Sequence, residues 1–222
     1  MIKAVLFDVD NTLIDFMAMK RKASNAAAIA MVRTGLQMDV KLAEKKLFDT
    51  YIKNIEGEHA FEDFLHEHKA YNDRRLAAAL NAYLTVKYKH MKPYSGVKET
   101  LTRLQKRGIK LGIVTDAPRI KAFQRLDAMG IADYFEFVVG FEDTHKHKPD
   151  SAPFFKALLG VKCKASETLF VGDWQERDML GAKKVGMKTC WAKYGGNRLG
   201  RKIRSDYVAK TFRDITKIVT EV

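Results

Sequence analysis

The sequence predicts an α/β fold: a parallel sheet with helices on both faces and a helical insertion after the first strand. Three observations carry this. Short apolar runs ending in polar or acidic residues begin at residues 2–7 and resume after Pro93. Helical patterns alternate with the later runs, and that alternation builds a sheet covered on both faces. Residues 15–92, by contrast, are rich in Ala, Lys, Glu and Leu, with no strong strand and hardly a breaker. The expected division is a core of residues 1–14 and 93–222 with an inserted unit of residues 15–92.

The first run, Ile2-Lys3-Ala4-Val5-Leu6-Phe7, stops at Asp8-Val9-Asp10. Successive side chains on a strand point to opposite faces, so Asp8 and Asp10 share a side. Neighbouring carboxylates repel, and a hard cation such as Mg²⁺, which takes oxygen ligands, would neutralise them. Asp and Asn are also ordinary turn residues, so the pair alone fits a metal site and an acidic turn equally well.

In the insertion, residues 19–34 and 39–54 favour helix and are separated by Gly35. Phe61, Phe64, Leu65 and His68 recur at helical spacing, as do Leu76, Leu80, Tyr83 and Leu84, which predicts about four helices. His59, His66 and His68 lie among Glu56, Glu58, Glu62 and Glu67, a pattern that reads as a polar helix face. Lys20 and Arg21 either reach a substrate's remote anion or decorate a helix.

After Pro93, residues 96–107 form a helix with Val97, Leu101 and Leu104 on one face, closed by Gly108. A strand over 110–114 ends at Thr115-Asp116. Pro118 suits the first turn of a helix that Gly130 ends. A strand is expected over 135–139 and a helix over 151–159. A further strand, 168–171, ends at Gly172-Asp173, followed by a helix near 177–185. Residues 187–191 make another strand, and 207–208 a short one before a C-terminal helix.

Composition narrows the partners. The 222 residues are 46% hydrophobic and 30% charged, ordinary for a globular protein, with no apolar stretch as long as a membrane span. The first apolar run is too short for a signal peptide, so the cytoplasm is the expected compartment. Cys163 and Cys190 make neither a disulfide framework nor a zinc site. A formal net charge of +13 favours an anionic partner. The basic residues are scattered, however, and the densest group, Lys193, Arg198, Arg201, Lys202 and Arg204, reads as a solvated loop. A phosphorylated small molecule is expected, while nucleic acid and membrane are not.

Ligands of open α/β sheets bind outside the carboxyl ends of the strands. Asp8 and Asp10, Thr115 and Asp116, and Asp173 follow three strands, with Asp178 five positions further on and Lys148 after the 135–139 strand. Acids for a metal, a hydroxyl for a phosphoryl oxygen and a lysine for negative charge suit phosphoryl transfer. Taken singly, Thr115 reads as a satisfied strand-end hydroxyl, Asp116 and Asp178 as helix caps, and His145-Lys146-His147 as a solvated loop.

Asp8-Val9-Asp10-Asn11-Thr12-Leu13, Val114-Thr115-Asp116, Lys148-Pro149-Asp150 and Gly172-Asp173-Trp174-Gln175-Glu176-Arg177-Asp178 stand in order. Together they resemble the four motifs of the haloacid dehalogenase superfamily, and the insertion sits where that family carries its type-1 helical cap. The resemblance implies a Rossmann-like core and a role for each matching residue. Asp8 would be the nucleophile and Asp10 the acid and base. Thr115 would bond the transferring phosphoryl group, and Lys148 would offset its charge. Backbone N–H groups of Val9 and Asp116 would contact phosphoryl oxygens. Mg²⁺ would be held by Asp8, the Asp10 carbonyl and Asp173, with Asp178 behind them or acting through water.

Asn11 replaces a common Gly, and Asn tolerates left-handed backbone. Trp174 and Arg177 also depart from the family's usual residues. Lys146 rivals Lys148, which is preferred because it precedes Pro149. The implied activity is hydrolysis of a small phosphate monoester by a monomer or homodimer. A phosphomutase, a dehalogenase (disfavoured by the second acid, Asp10) and a non-catalytic nucleic-acid-binding protein are the alternatives.

Overall fold

The computed structural model describes residues 1–53, 59–196 and 201–220. Asn54, Glu56, Glu58 and Arg198, which entered the expectations above, lie outside the described residues. Two compact units divide the chain: Met1–Asp15 with Lys92–Val222, and Phe16–Met91.

The first unit is built on six parallel strands: β1 (Ala4–Phe7), β2 (Lys110–Val114), β3 (Phe137–Val139), β4 (Thr168–Gly172), β5 (Lys188–Ala192) and β6 (Tyr207–Ala209). Their spatial order is β3-β2-β1-β4-β5-β6. The chain therefore grows outward from β1 in one direction, then returns to add β4 on its other side. In such a sheet the crevice opens where the order reverses, between the carboxyl ends of β1 and β4. Every residue of β1 is buried, as expected of a central strand covered on both faces. Phe7 sits opposite Ile113 of β2 and Val171 of β4. That register places the residues that follow the three strands at a common edge.

Alternation along β1 sends Leu6 to one face, where it joins Phe154, Phe170, Met179 and Met187 in one apolar cluster. Phe154 meets Phe170 edge-on at 5.0 Å between ring centroids, and Gly181 makes room for it, since a Cβ there would lie 2.2 Å from Phe154 Cε2. On the opposite face Phe7 stacks on Phe212 at 5.6 Å. Helices α5 (Val97–Lys106), α6 (Arg119–Ala128), α7 (Ser151–Val161), α8 (Leu180–Lys184) and α9 (Asp214–Thr220) complete the unit.

Some boundaries differ from the sequence reading. The third strand starts at Phe137 rather than 135, because residues 132–134 form a 3₁₀ turn and the Phe135 N–H donates back to the Ala132 carbonyl. Helix α7 runs through Gly160 to Val161 and ends on Lys162 in left-handed conformation. At Gly160 the missing side chain admits the Phe137 ring, 3.0 Å from a notional Cβ. Pro118 precedes the first turn of α6 as its cap. The segment expected to start near 177 begins at Gln175 as a wide π-helical turn, Gln175–Met179, that leads into α8.

The second unit holds α1 (Phe16–Arg33), α2 (Val40–Lys53), α3 (Ala60–Glu67) and α4 (Asp73–His90). Its core combines small residues, Ala23, Ala27, Ala28 and Ala79, with Met31, Leu47, Phe64 and Leu65. Gly35 turns the chain at φ +95°, and the Asn72 side chain caps α4 by accepting the Arg75 N–H. Lys20 lies over the rings of Tyr51 (3.8 Å) and Tyr83 (4.9 Å), and Arg21 over Phe48. His66 stacks on Tyr71, while His68 meets the Phe64 carbonyl and Lys46 Nζ. Among the described residues these histidines join no group of metal ligands. No helix of the described residues is long and apolar enough to cross a membrane.

Candidate active site

Asp8 is the first residue beyond β1, and its N–H donates to the Val171 carbonyl of β4 (3.0 Å). The chain then turns tightly: the N–H groups of Thr12 and Leu13 both donate to the Val9 carbonyl. Asn11, buried, takes φ +58° in this turn, the left-handed conformation that Asn adopts more readily than most residues. Val9 is fully buried and Asp10 partly so.

Lys148 arrives from the loop between β3 and α7 and is only 4% exposed. Its Nζ donates to Asp8 Oδ1 (2.8 Å), to Asp178 Oδ1 (2.7 Å) and to the Val114 carbonyl at the end of β2 (3.4 Å). Lys146 is exposed. Asp178 stands in the π-helical turn rather than capping a helix, and its Oδ2 accepts the Trp174 N–H (2.9 Å). Gly172 is needed here, since a Cβ would lie 2.3 Å from that same Oδ2. Asp173, buried after β4, completes a cluster in which Asp8, Asp173 and Asp178 each offer a carboxylate oxygen, all within 4.8 Å of one another. Asp178 thus sits in the acidic cluster itself.

Thr115 is buried, and its hydroxyl accepts the Ala117 N–H (3.2 Å) while its own N–H pairs with Val139. Asp116 does not cap α6. One of its oxygens accepts the Lys148 backbone N–H (2.8 Å), and the other pairs with Arg177 Nη1 at 3.2 Å. Arg177 in turn lies over the Trp174 ring at 4.1 Å. Arg177, one of the residues that depart from the family pattern, therefore ties the loop of Lys148, through Asp116, to the segment that carries Asp178. Asp10 pairs with Arg125 of α6, 3.3 Å from Nε to Oδ1.

Three residues at and just beyond the end of β5 brace this floor, and sequence reasoning missed all of them. Trp191 Nε1–H donates to the Asp173 carbonyl (3.1 Å), and the Tyr194 hydroxyl to the Thr12 carbonyl (2.9 Å). Gly195 passes so close that a Cβ would stand 2.0 Å from the Asn11 carbonyl oxygen. The signal was a Tyr-Gly-Gly run just past a strand end, read only as the start of a basic loop. Lys193, Arg201, Lys202 and Arg204 of that loop are exposed. Cys163 and Cys190 are free thiols, and burial pushes Cys190 up to about 12.

Burial disfavours the Lys148 ammonium, but Asp178, Asp8 and Asp116 outweigh it and hold the group protonated well above the ordinary lysine range. Burial likewise pushes the Asp178 carboxyl up to about 6, with Lys148 opposing the rise and Asp8 adding to it. A carboxyl with a raised folded-state pKa favours the fold while protonated. Its contribution is complete below the ordinary value of 3.8 and is lost as pH rises through about 6. Asp178→Asn cannot ionise, so in chelator its stability relative to the parent is expected to rise as pH increases from 4 to 7. Urea midpoints across that range measure the gain, and a pH-independent difference would contradict it.

Three buried carboxylates stand together, two of them bonded to one ammonium, and the donors are all hard oxygens. This set fits a small divalent cation such as Mg²⁺, which takes oxygen ligands and leaves room for substrate oxygens.

A profile of the haloacid dehalogenase-like hydrolases matches residues 5–192. The chain is 35% identical over 199 residues to a glyceraldehyde 3-phosphate phosphatase of Pyrococcus abyssi, covering 88% of this chain and 83% of that one. It is 36% identical over 195 residues to the protein of that name from Methanopyrus kandleri, covering 85% and 83%. The crystal structure of a HAD phosphatase from Thermococcus onnurineus superposes with a TM-score of 0.68 at 24% identity, covering 98% of each chain.

Proposed function

The chain belongs to the haloacid dehalogenase-like hydrolases and is a hydrolase acting on phosphate esters, and on that premise we propose a Mg²⁺-dependent phosphatase of small phosphate monoesters that works through an aspartyl-phosphate. The observation that carries the reading is the buried Lys148 ammonium held between Asp8 and Asp178, beside Asp173. Nucleophile, charge compensation and cation ligands stand together at the reversal point of the sheet.

In the proposed reaction an Asp8 oxygen attacks phosphorus while the bond to the leaving oxygen breaks. Asp10 delivers a proton to that oxygen, then takes one from the water that attacks the phosphorus of the aspartyl-phosphate. Free phosphate departs and the Asp8 carboxylate is restored. Lys148, the Thr115 hydroxyl and the N–H groups of Val9 and Asp116 offset charge on the phosphoryl oxygens. Asp8, Asp173 and the Asp10 carbonyl would hold Mg²⁺, with Asp178 adjacent; when bound, the ion supplies further charge stabilisation on the phosphoryl group. Residues 1–14 and 93–222 serve as the catalytic core and 15–92 as the cap in this reading.

The names of the relatives make a triose phosphate the first ester to try. Free phosphate is expected from at least one small monoester in Mg²⁺ and not in chelator. An isomerised ester without free phosphate would instead mark a mutase, and no metal-dependent release across a broad panel would sink the phosphatase reading.

A further inference from the structure

Arg125 was not singled out by its sequence, and the motifs give it no role. It occupies the inner side of α6 beside the buried Ala122 and Leu126, with only 12% of its side chain exposed. A guanidinium so placed needs a countercharge. That countercharge is Asp10: Arg125 Nε stands 3.3 Å from Asp10 Oδ1, and the Asp10 side chain is 24% exposed. Other cations of the same helix are used differently, Arg119 pairing at the surface with Asp143. The pair spans from the last turn of α6 to the turn after β1, so it ties the carboxylate to a helix rather than to another loop.

We propose that Arg125 is a positioning residue, whose guanidinium fixes the direction in which the Asp10 carboxyl faces the leaving oxygen. The proposal rests on the phosphatase reading. In the first step the Asp8 oxygen bonds to phosphorus as the phosphorus–oxygen bond of the ester breaks. The electron pair of that bond stays on the leaving oxygen, and the proton that Asp10 carries on its other oxygen, Oδ2, ends there, which leaves Asp10 the anionic partner of Arg125. Proton delivery requires the carboxyl at hydrogen-bond reach and correctly turned. A planar guanidinium sets direction as well as charge, whereas an ammonium supplies charge alone.

The test compares the parent with Arg125→Lys and Arg125→Met on an alkyl phosphate and on p-nitrophenyl phosphate, with thermal melts of each protein. The ratio kcat/KM reports the steps through release of the leaving group, and p-nitrophenolate departs without a proton. Arg125→Met is expected to lose about 10²-fold on the alkyl ester and no more than about threefold on the aryl ester. Arg125→Lys should recover about tenfold of the alkyl loss. Equal losses on both esters would identify a merely structural role and overturn the proposal, as would no loss on either, or Lys and Met behaving alike. Failure of the parent to release phosphate from either ester in Mg²⁺ would remove the phosphatase reading first, before any variant is compared, and this proposal with it.

Discussion

Asp8→Asn is expected to abolish turnover, with phosphate release falling by about 10⁴-fold or more. The carboxylate oxygen that would attack phosphorus becomes an amide oxygen of far lower nucleophilicity, and no other described carboxylate sits in the same register at the end of β1. The fold should survive, because the Asn carbonyl oxygen can still accept the Lys148 ammonium that Asp8 Oδ1 accepts at 2.8 Å. Acid quenching during turnover of a phosphorus-labelled ester should trap label on the parent and none on the variant. Full activity in Asp8→Asn would rule out attack by this residue.

The second large effect concerns stability. Lys148→Met keeps a side chain of similar length but withdraws the ammonium from between Asp8 and Asp178. Removing one partner of a buried ion pair leaves uncompensated charge and typically costs about 3–5 kcal/mol. Here three carboxylates within 4.8 Å would face one another without it. In chelator the variant should therefore unfold at markedly lower denaturant. Mg²⁺ should restore more stability to the variant than it adds to the parent, because the ion takes over the balancing of charge. Activity should be lost in either condition. Equal unfolding midpoints for variant and parent in chelator would show that the ammonium is not what holds these acids together.

Much of this arrangement was legible because it obeys local rules. Apolar runs ending in acid located the strands, and their alternation with helices announced a parallel sheet. The common edge then followed from the strand order. What local pattern could not reveal were partners chosen across the chain. The Asp116 carboxylate was read through its backbone or as a cap, yet it accepts the Lys148 N–H and pairs with Arg177. Nothing periodic marks that choice. Arg125 looked like one more cation of a helix, since only tertiary folding brings α6 against the turn after β1. Asp178 fell among the site acids because the chain opens into a wide turn at Gln175, where the sequence suggested an ordinary helix start.

The hydrogen bonds from Trp191 to the Asp173 carbonyl and from Tyr194 to the Thr12 carbonyl have a thermodynamic consequence. They reach from the end of β5 and the turn after it to the turns that follow β4 and β1, and so immobilise the backbone beneath two of the clustered acids. Fixing a residue's backbone costs about 1–2 kcal/mol of conformational entropy. In this chain that cost falls on folding, where the buried strands offset it, rather than on binding. A cation or phosphoryl group arriving at the crevice then meets ligands already in place, and its affinity is not diminished by the ordering of loops.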